Sequence, residues 1–243
     1  MREYKTFVFL DVKKTGTTFI GTVLKKFSRE RPVRTAAHAG MPEDCDRSKY
    51  YFISVRRPLD LYISLYSHGC QSKGQLAWRL NQRELDGLYD NTWSGFERWL
   101  WFVLDPDHAN LLGDGYGPRA SGRVSECVGF MSYRVLKLAV PGSSRILHDC
   151  DSRHAVDAIY EKHKLPKHAV RTESLRPDLK DLVTLKLPGR FRNVEAALRY
   201  IDTSEPLNVS RRVDRLEAGA TLDKGLRHHL EEREWWVHQE FNY

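Results

Sequence analysis

Thr6-Phe7-Val8-Phe9-Leu10-Asp11-Val12-Lys13-Lys14-Thr15-Gly16-Thr17-Thr18-Phe19 (TFVFLDVKKTGTTF, residues 6–19) decides the fold. Its first half, Thr6 to Val12, is a short apolar run of the kind a strand buried on both faces presents. From Thr17 to Phe27 the period changes. Phe19, Ile20, Val23, Leu24 and Phe27 then fall on one face of a helix. A buried-strand run that turns into a helical stripe across a basic, glycine-bearing turn opens a strand–helix unit.

Working outward, Val33 to Ala37 predicts a second short strand and Tyr50 to Val55 (YYFISV) a third. Pro58 stands where a helix would start, with Leu59, Tyr62, Ile63 and Tyr66 on one face. Strand, helix, strand, strand, helix predicts an α/β fold, a parallel sheet flanked by helices. Residues 75–105 read as helical and aromatic-rich, and the stripe from Trp93 to Phe102 reads most simply as a packed helix, a cleft wall being the minority reading. Residues 113–122 hold four glycines and a proline and read as a loop. Further helices are expected over Phe130–Val140, Ala155–Lys164, Asp178–Leu187 and Val194–Ile201. Ala169–Thr172 is a strand candidate. Leu222, Leu226, Leu230, Val237 and Phe241 predict one long C-terminal helix. The expected organisation is a single domain over 1–243. Its α/β core covers about 5–70 plus 165–215, and a helical insertion covers about 75–140.

Composition bounds the function classes. Of 243 residues, 41% are hydrophobic and 29% charged, which excludes wholesale disorder. Lys plus Arg is 39 against 32 Asp plus Glu, a net charge of +7 that favours an anionic partner. The basic residues are spread along the chain, which suits a compact anion site as well as a nucleic-acid arm. Cys45, Cys70, Cys127 and Cys150 form no CxxC pair, so reduced structural thiols are expected. The longest apolar stretch, Trp99 to Leu104, is far too short to span a membrane, and the N-terminus shows no secretory signal pattern. A cytoplasmic chain without an anchor is the expectation.

Two segments carry chemistry. In the first, Lys14-Thr15-Gly16-Thr17-Thr18, a glycine and two threonines open a helix just after a strand. A helix start offers amide N–H groups and the positive end of a dipole to phosphate or sulfate. Gly16 permits close approach, Thr17 and Thr18 add hydroxyls, and Lys14 adds a charge. A capped helix beside a surface lysine is the plainer reading of these five residues alone. It is not a Walker A loop, whose lysine follows its second glycine and which needs a glycine where Asp11 stands. The second segment is Arg56-Arg57-Pro58-Leu59-Asp60-Leu61-Tyr62-Ile63-Ser64. Arg56 ends the third strand and Ser64 lies two turns into the next helix. An arginine fork and a hydroxyl so placed suit one phosphate.

Together these segments resemble the PAPS-dependent sulfotransferases, carbohydrate type, where PAPS is 3′-phosphoadenosine 5′-phosphosulfate. In that family a K-x-G-T-T loop cradles the 5′-phosphosulfate and an R-x-P-x-D-x-x-x-S segment grips the 3′-phosphate. Thr172-Glu173-Ser174-Leu175 looks like a later strand-end element of the family. Leu207-Asn208-Val209-Ser210, with Arg211 and Arg212, looks like a segment that closes over the nucleotide. The resemblance implies a P-loop-NTPase-like sulfotransferase fold, PAPS as sulfuryl donor and no metal. It implies a hydroxyl-bearing acceptor, a glycan, and no nucleic-acid partner, with 5–70 plus 165–215 as the nucleotide-binding core and 75–140 as the acceptor-side insertion. By the same resemblance Lys14, Thr15, Gly16, Thr17, Thr18, Arg56, Ser64, Ser210, Arg211 and Arg212 bind the nucleotide. Phe19 stands where cytosolic relatives place an adenine-stacking ring.

His38, at the end of the second predicted strand, is the candidate base, since strand carboxyl ends line the ligand crevice in such sheets. Glu43 is the alternative base, and Asp44 and His68 are further rivals. A P-loop-like small-molecule kinase and a non-enzymatic anion or nucleic-acid binding module are the other readings. The first lacks a convincing Walker B aspartate, and the second leaves the two segments unexplained.

Overall fold

A computed structural model describes residues 1–205 and 221–243. The chain divides into two compact units. The first comprises Met1–Arg56, Leu138–Gly142 and the described residues from His163 to 205. The second comprises Arg57–Lys137, Ser143–Lys162 and the described residues from 221 to Tyr243.

The first unit is α/β. Among the described residues five strands form one sheet: β1 (Arg2–Glu3), β2 (Phe7–Leu10), β3 (Arg34–Thr35), β4 (Tyr50–Val55) and β5 (Pro166–Arg171). Their order is β3-β1-β2-β4-β5. The three long strands are parallel, with Phe9 opposite Phe52 and Ile53 opposite Ala169. All four residues of β2 are buried, as are Tyr51 to Val55 of β4, which is why both strands read as unbroken apolar runs. The paired rings of Phe9 and Phe52 stack at 4.9 Å.

Helix α1 (Thr17–Phe27) lays Ile20, Val23 and Leu24 against Phe7, Phe9 and Phe52 in one core. Leu179 and Ala197, from helices Leu175–Asp181 and Val194–Thr203, join the same core. The sequence expectation fails at one edge. The strand predicted over Val33–Ala37 shortens to β3 and pairs antiparallel with β1, which is itself antiparallel to β2. Val33 is 66% exposed, so no burial holds it in the sheet.

The second unit is helical in its described residues. Helix α2 (Pro58–Gly69) carries Tyr62 and Tyr66 into an aromatic cluster with Phe96 and Trp99 of helix Trp93–Leu104. The segment read as continuously helical over 75–105 is interrupted. A helix at Gln75–Asn81 and a 3-10 turn at Asp86–Leu88 precede Trp93. The expected long C-terminal helix is two, Lys224–Arg233 and Trp235–Phe241, broken at Glu234. The reason is that Glu234 is wholly buried. Its Oε1 accepts from Tyr62 Oη and Met131 N, and its Oε2 accepts from Ser132 N and Ser132 Oγ. The carboxylate thus caps the start of helix Phe130–Ala139. Next to it, Arg233 donates to the carbonyls of Leu104, Ser125, Glu126 and Val128. None of the four cysteines is in a disulfide. No helix among the described residues is long and apolar enough to cross a membrane.

Candidate functional site

The loop after β2 takes an unusual path. Lys14 has φ 66° and Gly16 φ 75°, both left-handed. Glycine adopts this region at no steric cost, but lysine does so rarely. Between them Thr15 points inward, fully buried. Its Oγ1 donates to the Val12 carbonyl at 2.7 Å and sits 2.6 Å from Ser54 Oγ on β4. The loop is therefore pinned to the sheet through Thr15, while Lys14 and Thr17 stay half-buried and Thr18 exposed. Gly16 is the N-cap of α1, and no side chain caps the helix there. The amides of the first turn have no acceptor within the helix. A Cβ on Gly16 would lie 3.1 Å from Leu175 Cδ2, so the loop surface is fitted to a glycine.

Arg56, one residue past β4, reaches the same loop, with Nη1 3.4 Å from the Lys14 carbonyl. Thr172, just past β5, donates from both N and Oγ1 to the Val55 carbonyl. The segments at 14–18, 54–56 and 172–175 thus meet at the carboxyl ends of the parallel strands.

His38 joins them through Asp11. Its Nδ1 lies 2.7 Å from the Asp11 main-chain oxygen, and its N–H donates to Asp11 Oδ1 at 3.1 Å. A carbonyl can only accept, so Nδ1 carries a proton, and in the neutral ring Nε2 is the nitrogen with the lone pair. The Asp11 carboxylate is almost fully buried and also lies 2.5 Å from the Met1 nitrogen. His38 too is left-handed, at φ 55°. Two left-handed non-glycine residues around one loop are the kind of local strain that collects at functional sites.

Other expected residues are placed elsewhere. Phe19 is 6% exposed, sits in the sheet-side core and faces Tyr200 at 6.2 Å. The helical stripe carries Phe19 inward, against Tyr200. Thr15 presents no hydroxyl to a ligand, for the reason already given. Glu43 lies on an exposed turn beside Gly142, where a Cβ would stand 3.3 Å from Glu43 Oε2. Asp44 is exposed on the same turn. Ser64 is half-buried on α2 of the second unit, and His68 of that helix packs against Gly74. Asn208, Ser210, Arg211 and Arg212 lie outside the described residues.

Sequence reading missed Asp11 and Ser54. Each is a polar residue in or beside an otherwise apolar strand, and a polar group there must find a partner. Comparison with protein-family models, with curated proteins and with solved structures returned no match.

Proposed function

We propose that the chain is a sulfotransferase that uses PAPS and acts on a hydroxyl of a carbohydrate acceptor, in the cytoplasm, on a P-loop-like sulfotransferase fold. The observation that carries the reading is His38, fixed through its Nδ1 on the Asp11 carbonyl at the strand end that also carries the Lys14–Thr18 turn. A general base and an anion-binding turn together are what group transfer to a hydroxyl requires. PAPS, when bound, supplies an activated sulfuryl group on a phosphate leaving group. The glycine-fitted turn and the uncapped start of α1 suit its anionic oxygens.

In this reading the first-turn amides, with Thr17 and Thr18, bind the 5′-phosphosulfate end. Lys14 stabilises charge on the oxygen that leaves. Arg56 binds the 3′-phosphate and braces the loop through the Lys14 carbonyl. His38 Nε2 takes the proton of the acceptor hydroxyl, and Asp11 holds the ring so that this nitrogen stays available. Ser64, Ser210, Arg211 and Arg212 belong to the proposed nucleotide set on the resemblance alone.

Calorimetric titration with 3′-phosphoadenosine 5′-phosphate against ADP tests it. Charge-assisted hydrogen bonds are worth about 1.5–3 kcal/mol, so Arg56→Ala should weaken the bisphosphate about ten- to a hundredfold and scarcely change ADP. Lys14→Ala should lower sulfuryl transfer on the order of 10²–10³-fold with a smaller change in nucleotide affinity. Failure of the bisphosphate to bind more tightly than ADP would sink the reading.

A further inference from the structure

The second unit carries a cleft of about 440 Å³ that the nucleotide reading does not use. That volume is within the range of small-molecule sites. Trp101 and Phe102 line it, from the stripe read in sequence most simply as a packed helix and, as the minority reading, as a cleft wall. Phe96 and Trp99 of that helix are buried as expected, but Trp101 is 44% exposed.

Each of the two rings is held flat by a histidine. The Trp101 indole lies on the His229 imidazole at 5.0 Å with 22° between planes. The Phe102 ring lies on His108 at 3.9 Å and 15°. The His108 ring is fixed again by its Nδ1, 3.0 Å from the Phe102 carbonyl. That contact makes Nδ1 the donor and turns Nε2 away from the Phe102 carbonyl. A stacked indole with nearly half its surface open is a rigid platform that loses little entropy on binding.

The polar groups around the platform are of both kinds. Arg98 donates and the Asp105 carboxylate accepts. Their charges do not add to an anion site, because Arg98 is already paired with Asp90 at 2.5 Å. Burial, and then the nearby Arg233, push the His229 imidazole towards its neutral form. A flat apolar face beside mixed donors and acceptors without net positive charge matches a sugar ring. The C–H face of a pyranose covers an aromatic plane, and its hydroxyls both donate and accept.

We propose that this cleft binds a neutral saccharide, its ring lying on Trp101 and its hydroxyls met by Arg98, Asp105 and His108. The proposal rests on the cleft alone and holds with or without the sulfotransferase reading.

Saturation-transfer NMR and calorimetry of the full chain, with no nucleotide present, test it on cellotriose, maltotriose, mannotriose and chitotriose. At least one should bind. Trp101→Ala should weaken that sugar about tenfold or more, while Trp101→Phe, which keeps a stacking ring, should stay within about threefold. Trp78→Ala, which removes another exposed tryptophan outside the cleft, should bind as the parent does. Thermal melts of each variant report folding. Absence of binding by all four sugars would overturn the proposal, as would unchanged binding by Trp101→Ala. So would equal losses in Trp78→Ala and Trp101→Ala, or binding of a heparin-derived tetrasaccharide in place of the neutral sugars. None of these results bears on the titration with the bisphosphate nucleotide, so the two readings fail separately.

Discussion

Thr15 Oγ1 and Ser54 Oγ stand 2.6 Å apart, both residues closed off from solvent. This contact joins the turn at 14–18 to the middle of the sheet. The expected outcome of Thr15→Val is a stability loss of about 1–3 kcal/mol, because the Val12 carbonyl and the Ser54 hydroxyl lose a buried partner without a replacement. Thr15→Ser should restore most of it. Urea melts of the two variants measure this, and equal losses would show that the missing methyl, not the hydroxyl, matters.

His38 calls for a substitution that respects its backbone. Asparagine tolerates the left-handed region, so His38→Asn should fold with little loss while removing the proposed base. Sulfuryl transfer should fall about 10²–10⁴-fold and affinity for 3′-phosphoadenosine 5′-phosphate should hold. Glu43→Gln is expected to keep most of the activity. Near-normal turnover by His38→Asn together with a dead Glu43→Gln would move the base to Glu43.

Asp90 gives the second unit an acid-sensitive joint. Burial pushes its carboxyl up. Hydrogen bonds from Thr92, Tyr66 and Arg98 outweigh that and bring it down to about 2. A carboxyl titrating near 3.9 when unfolded and lower when folded binds fewer protons in the native state. Its contribution is therefore full above about pH 4 and lost as the pH falls towards 2. Asp90→Asn should melt below the parent at pH 7 and lose less between pH 4 and pH 2. Parallel melting curves across that window would show that the joint does not depend on the charge.

Glu234 predicts the largest stability effect. Glu234→Ala strands the buried donors Tyr62 Oη, Met131 N, Ser132 N and Ser132 Oγ together. The expected cost is about 3 kcal/mol or more, in the range that only a few mechanisms reach. Gly129→Ala should be damaging for a related reason, since its new Cβ would fall on Glu234 Oε1. Chemical denaturation of both variants checks this.

What the sequence made legible follows from periodicity. β2, β4 and α1 were readable because burial on both faces gives an apolar run and burial on one gives a stripe. The same stripe already placed Phe19 in the core, and only the resemblance drew it towards a nucleotide. Pairing direction was not readable: Val33 to Ala37 has a strand's composition, yet nothing local says which neighbour it meets. Nor was the break at Glu234. Leu230 and Val237 keep the helical stripe across it, and the partners that bury the carboxylate come from positions 62 and 131–132. The turn at 14–18 was legible as a glycine turn between strand and helix. Its inward pin, Thr15 to Ser54, was not, because the serine looks like any small residue within an apolar run.

The closing of the turn by Leu175 and of β4 by Thr172 has a consequence for the order in which the molecule is made. Val55 and Thr172 are 117 residues apart in the chain, and β4 lies between β2 and β5. During synthesis the first seventy residues therefore emerge with one edge of their central strand unpaired and the glycine turn without its cover. Contacts this distant in sequence slow folding and leave an apolar edge exposed while the ribosome delivers the helical segment in between. A nascent chain stalled before residue 166 should be protease-sensitive in the sheet and become resistant only once Pro166–Arg171 has emerged.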